Sequence, residues 1–217
     1  MLRFLLLLIV GLSPTFALAF SVSTTDISQP YEITPIELAL PAQSSFLGTL
    51  ADFPVMYEIT SDKPFTLTTQ LAQPINQEVQ PLSLLIIRRN DRGGGVTEVA
   101  RQPYISTDWF QNRNSLLGMS LLLSPQLETP VEAGTYRIEV SSPNNTGKYM
   151  FTIGTEPEDV GYFAQLGFIR QTQSYFGYGF FSLLKSSVVY YPIGILLLLG
   201  AFFQTYRLTK RNKLSNA

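Results

Sequence analysis

The chain has 217 residues, with 15 Lys plus Arg against 16 Asp plus Glu, and contains neither His nor Cys. With no imidazole and no thiol, histidine general-base catalysis, thiol nucleophiles, Cys/His zinc sites, haem and iron–sulfur ligation and disulfides are all excluded. Only 14% of residues are charged, against ~25% in ordinary soluble domains, and the mean hydropathy is positive, which points to a membrane segment.

In chain order, Arg3 precedes the apolar run Phe4 to Val10, Ser13-Pro14 breaks it, and Ala17-Leu18-Ala19 supplies small residues before Phe20. This arrangement predicts a secretory signal peptide over 1–19, because the apolar run is too short to cross a ~30 Å hydrocarbon core.

The next stretch, 20–155, reads as an extracytoplasmic all-β domain: short alternating runs punctuated by Pro, Gly, Asn and Asp. Strands are expected at Ile36 to Leu40 and Phe46 to Leu50. Val55, Tyr57 and Ile59 alternate with polar residues, Ser61 to Pro64 turns the chain, and Phe65 and Leu67 continue the alternation, which predicts a hairpin with one apolar face. Leu82 to Ile87 is continuously apolar and suits a central strand, and Asn90 to Gly95 turns into Val96 to Ala100. Further strands are expected at Trp109 to Asn112 and Leu117 to Leu123. A second hairpin is expected where Tyr136, Ile138 and Val140 meet Tyr149, Phe151 and Ile153 across Ser142 to Gly147. Eight to ten strands in roughly 125 residues predict an antiparallel β-sandwich or jelly roll, large enough to bury a core without disulfides.

The segment 156–185 loses its acids after Asp159 and carries eight aromatics from Tyr162 to Phe181. Tyr162, Phe163, Leu166 and Ile169 fall on one helical face, which predicts an amphipathic helix lying on the membrane or packed on protein. Together with Tyr175, Phe176, Phe180 and Phe181 they form the candidate interaction or membrane-interface set.

No charge interrupts the chain between Lys185 and Arg207. At ~1.5 Å per residue, 186–206 is long enough to form a transmembrane helix, with Tyr190, Tyr191 and Tyr206 at belt positions. The tail 207–217 holds Arg207, Lys210, Arg211 and Lys213 and no acid, whereas all 16 acids lie before the span. Positive residues stay inside, so the expected topology is single-pass type I in the cytoplasmic (inner) membrane, with the body outside and the tail in the cytoplasm. An acidic body also argues against nucleic-acid binding.

Candidate chemistry is thin. Ser182-Leu183-Leu184-Lys185 has S-x-x-K spacing but lacks accompanying SDN or KTG elements. Asp108 with Glu128 or Glu132 offers carboxylates for glycoside hydrolysis, with nothing in the spacing to distinguish them from solvated loop acids. Asn90, Asp91 and Gly93 to Gly95 offer oxygen ligands for a weak Ca²⁺ site, or simply a turn. Asn144-Asn145-Thr146 is a glycosylation sequon only in a eukaryotic secretory pathway. No catalytic residue, cofactor or metal is assigned.

The string Ala133 to Gly154 resembles the closing strands of the prokaryotic pre-peptidase C-terminal domain, with Gly134, Tyr136, Val140, Gly147, Tyr149 and Gly154 on its pattern. Tyr57-x-Ile59 and Phe65-x-Leu67 are similar to its opening strands. The resemblance implies a β-sandwich that accompanies catalysis rather than performing it. The expected function is a non-enzymatic membrane protein presenting a sandwich for protein interaction or scaffolding in the cell envelope, its partners being the lipid bilayer and another envelope protein. The alternatives are a p24-like cargo adaptor of a secretory pathway, or a carbohydrate-binding module or carboxylate-dependent envelope hydrolase.

Overall fold

The computed structural model describes residues 21–25, 29–36, 42–90, 94–157 and 160–215, so the signal-peptide expectation for 1–19 lies outside them, as do 37–40 of the first expected strand. The strands, in chain order, are β1 (Ser21–Thr25), β2 (Ile33–Pro35), β3 (Ala42–Ala51), β4 (Val55–Ser61), β5 (Phe65–Pro74), β6 (Ser83–Arg89) and β7 (Val96–Gln102). They continue with β8 (Phe110–Asn114), β9 (Met119–Leu123), β10 (Leu127–Val131), β11 (Gly134–Ser141), β12 (Thr146–Ile153) and β13 (Glu156–Pro157). One sheet has the order β1-β3-β12-β5-β9-β8, with β10 beside β5 and β13 beside β3; the other runs β2-β4-β11-β6-β7. The sandwich is therefore as expected, although three short pairings, β1–β3, β13–β3 and β2–β4, are parallel.

Both expected hairpins are corrected by this topology. β4 pairs with β2 and β11, while its successor β5 pairs with β9, β10 and β12, and β11 and β12 are likewise in different sheets. The turns at Ser61–Pro64 and Ser142–Gly147 thus step from one sheet to the other. Alternation dictates which residues face inward, and two apolar rows can meet either side by side or across a core about 10 Å thick. Here they meet across the core, where the Tyr57 ring stacks on Phe151 with centroids 4.9 Å apart and Phe46 lies 5.3 Å from Tyr57. The two hairpins that do form within a sheet are β6–β7 and β8–β9.

Tyr149 and Gly48 are cross-strand partners on β12 and β3, and the phenol ring lies directly over the glycine. Its hydroxyl reaches the Tyr57 hydroxyl at 3.0 Å, joining the two sheets inside the core. Burial pushes the Tyr57 phenol up to about 12 and holds Tyr149 well above the ordinary tyrosine value. Above pH ~10 the unfolded chain releases these protons while the folded chain retains them. The stability they contribute is therefore complete below pH ~10 and is lost as the pH climbs through the folded values. An ultraviolet phenolate titration should show these two phenols ionising only as the fold is lost, and Tyr57→Phe should remove one of the late-titrating groups. Complete phenolate formation with the β-sheet circular dichroism intact would contradict the burial assigned to the pair.

Candidate functional site

The outer face of the eight-stranded sheet is apolar, not solvated: Val22, Leu47, Ala72, Met119, Leu121 and Met150 are all buried. They are covered by helix α1 (Tyr162–Tyr175), a 3₁₀ helix (Phe180–Lys185) and the first turn of helix α2 (Ser187–Ser215), through Ile169, Phe176 and Val188. The juxtamembrane segment is thus a third layer on the sandwich.

The face that α1 turns to the sheet is only partly apolar. Its buried residues are Gln165, Ile169, Thr172 and Gln173, followed by Phe176 at its C-terminal end, a helical stripe that mixes apolar and hydrogen-bonding side chains. Thr172 returns its hydroxyl to the Phe168 carbonyl at 2.9 Å. Gln173 is fully buried, donates to the carbonyls of Leu117 at 2.6 Å and Ser182 at 3.1 Å, and accepts from the Ser182 hydroxyl at 2.8 Å. The helix ends in a Schellman arrangement, with Tyr178 N–H to Gln173 O and Gly177 N–H to Ser174 O.

The turn joining β8 to β9 is the socket for this layer. Three consecutive carbonyls accept hydrogen bonds from the juxtamembrane segment: Ser115 from the Ser187 N–H at 2.9 Å, Leu116 from the Ser186 hydroxyl at 2.6 Å, and Leu117 from the Gln173 amide. Gly118 closes the turn at φ +65°, and a Cβ there would stand 2.6 Å from Lys185 C and Ser186 N. Only glycine allows both the left-handed backbone and this approach. A second set of bonds holds the far end of α1: Lys148 Nζ to the Tyr175 carbonyl at 2.7 Å, Thr49 with the Tyr175 hydroxyl at 2.7 Å, and Gln77 to the Phe176 carbonyl at 3.2 Å.

Helix α2 is docked at its start and free thereafter. Its stretch Ser187–Leu208 is long and apolar enough to cross a membrane and is almost wholly exposed. Pro192 lies inside it and has no N–H to give to the Val188 carbonyl four residues earlier. That carbonyl is instead met by the Tyr162 hydroxyl at 3.1 Å, so the first residue of α1 satisfies the acceptor that the proline leaves open.

The sequence-predicted set therefore divides. Ile169 and Phe176 are fully buried against the sheet, and Leu166 and Tyr175 are partly buried there, whereas Phe163, Phe180 and Phe181 are exposed at 84%, 67% and 79%. Tyr162 is exposed along its ring but tied by its hydroxyl. The expected apolar stripe 162-163-166-169 is thus not one surface: its N-terminal members face outward and Ile169 faces the protein. Sequence reasoning missed the packing roles of Gln165, Thr172, Gln173, Ser182 and Ser186, and the Ser115–Gly118 turn. The detectable signal was the polar residues recurring at helical spacing beside Ile169.

The other candidates have plain structural roles. The Ser182 hydroxyl bonds Gln173 and the Gly179 carbonyl, 2.5 Å away, while Lys185 is exposed. Asp108, Glu128 and Glu132 are all solvent-exposed, and Asn144 sits exposed in its turn. In the Asn90 to Gly95 loop, where 91–93 lie outside the described residues, Asn90 N–H closes a turn to Gly95 O and its side-chain amide reaches Thr97. Among the described residues no group of three or more acidic side chains is placed to hold a metal.

Gln173→Leu removes every polar atom of the side chain, leaving the Leu117 carbonyl and the Ser182 hydroxyl without this partner. A loss of about 1–3 kcal/mol is expected, larger than for exposed Gln171→Leu, read from chemical denaturation in detergent. Equal effects of the two changes would contradict the lock.

No protein-family model and no curated protein sequence matches the chain. Among solved structures it is similar to the pre-peptidase C-terminal domain of a collagenase from Bacillus anthracis, at 12% identity and a TM-score of 0.35, over 59% of this chain and 98% of that one. It is also similar to a β-glucosidase from Paenibacillus barengoltzii, at 9% identity and a TM-score of 0.26, over 65% of this chain and 13% of that one.

Proposed function

We propose that the chain is a non-enzymatic, single-pass protein of the cytoplasmic membrane that holds a β-sandwich outside the cytoplasm as an interaction or scaffolding module for another envelope protein. The observation that carries this reading is the direct docking of the sandwich on the start of an apolar helix, through the Ser115 and Leu116 carbonyls, beside the Leu117 carbonyl that holds Gln173 of α1. A flexible tether leaves a module free to search, whereas a docked one presents the same face at a fixed height above the membrane. The acid-free basic tail favours the orientation with the C-terminus inside. The absence of His and Cys from the sequence, and the structural use of the Ser182 hydroxyl, favour binding over catalysis.

Two measurements test this. A single cysteine at Ile105, exposed on the sandwich, should react with a membrane-impermeant maleimide in intact cells, and one at Asn216 should not. Purification of the full chain from native membranes should return a partner in fixed stoichiometry. The opposite labelling pattern overturns the topology, and recovery of the chain alone overturns the scaffolding role.

A further inference from the structure

We infer that the outward side of the juxtamembrane layer is a bilayer seat: Phe163, Phe180, Phe181 and Leu184 insert into the interfacial layer of the lipid beside the span. The inference rests on the reading of Ser187–Leu208 as a membrane helix and adds a second point of lipid contact to it. These four side chains are among the most exposed large apolar groups outside that helix, at 84%, 67%, 79% and 51%. They flank one another through the fold: the Phe163 end of α1 is pinned to the first turn of the span by the Tyr162–Val188 bond, and Leu184 is three residues before Ser187. Tyr190 and Tyr191 are exposed on the span's own first turns, which places further aromatic side chains at the start of the helix.

Charge points to the same occupant. No acid occurs after Asp159, while Arg170 and Lys185 lie in the layer. Arg170 is held beside Phe180, its guanidinium donating to the Tyr178 and Gly179 carbonyls at 3.2 Å and lying 5.7 Å from the ring centroid. Apolar rings with a cation beside them, in a stretch of sequence free of acids from 160 onward, match the acyl–headgroup boundary, where aromatic side chains collect and phosphates accept from basic ones. A protein partner would more often be met by charges of both signs around the apolar patch. Seating at two points would also fix the tilt of the span, which a lone helix leaves to its neighbours.

The test uses the full chain reconstituted in phosphatidylcholine–phosphatidylglycerol vesicles. The chain has no native Cys, so single cysteines at 163, 181, 184, 197 and 105 can each carry one environment-sensitive fluorophore. Quenchers attached to lipid at shallow and at deep positions then report depth. The seat predicts strong quenching of 163, 181 and 184 by the shallow quencher, of 197 by the deep one, and of 105 by neither. Quenching at 197 alone, with 163, 181 and 184 open to aqueous iodide, overturns the seat and leaves the span standing. Absence of lipid quenching at 197 overturns the span, and the seat with it.

Discussion

Gly48→Val is expected to be the most destabilising single substitution in the sandwich. The Tyr149 ring occupies the space into which any β-carbon at position 48 must grow, so the ring has to leave its place over β3. Overpacking of a closed core costs about 1–3 kcal/mol, and losing the buried Tyr149–Tyr57 hydroxyl bond adds about 1–3 kcal/mol. Against a typical total of 5–15 kcal/mol this removes a large share of the stability. Urea denaturation of the full chain in detergent measures it, with Gly48→Ala as the milder variant. The cause is separable, because Tyr149→Leu clears the space: Gly48→Ala in that background should cost much less than in the native chain. Additive effects would show that the ring is not what confines position 48.

Gly118→Val is expected to act on a different part of the molecule. Position 118 lies outside the inter-sheet core, in the turn whose carbonyls receive Gln173, Ser186 and Ser187. A β-branched residue at φ +65° costs of order 1–3 kcal/mol in backbone strain alone, and its side chain overlaps the backbone of Lys185 and Ser186. The least costly relief is for the juxtamembrane layer to lift from the sheet. Hydrogen exchange should therefore rise sharply over Gln173 to Ser187, while β4, β6 and β11 keep their protection. Tyr162→Phe should give a smaller rise at the other end of the layer, since it frees the Val188 carbonyl without a clash. Uniform acceleration across both sheets would mean that the turn supports the whole sandwich and is no specific socket.

The inner faces of the sandwich were legible in the sequence because strand periodicity is strict. Val55, Tyr57 and Ile59, Tyr136, Ile138 and Val140, and Tyr149, Phe151 and Ile153 all point to the core, and all are buried. Strand partnership was not legible. A short turn between two alternating runs is compatible with a same-sheet hairpin or with a crossing between sheets, and nothing in Ser61–Pro64 or Ser142–Gly147 discriminates the two. The apolar outer face of the eight-stranded sheet was hidden for a related reason: Leu47, Met150 and Leu121 occupy the positions that alternate with core residues, where solvent is the usual neighbour. Counting apolar residues selected Tyr162 and Phe163, whereas the packed stripe runs through Gln165, Thr172 and Gln173, of which Gln173 satisfies the Leu117 and Ser182 carbonyls that an apolar residue there would leave without this partner.

The central claim is that the sandwich and the long apolar helix α2 form one rigid unit. Spin labels at Lys63→Cys, on the exposed turn after β4, and Leu197→Cys, on the span, measure it in vesicles by pulsed electron resonance. A docked layer predicts a single narrow distance distribution that Gly118→Val broadens. A broad distribution in the native chain, unchanged by that substitution, would show a free tether and contradict the account.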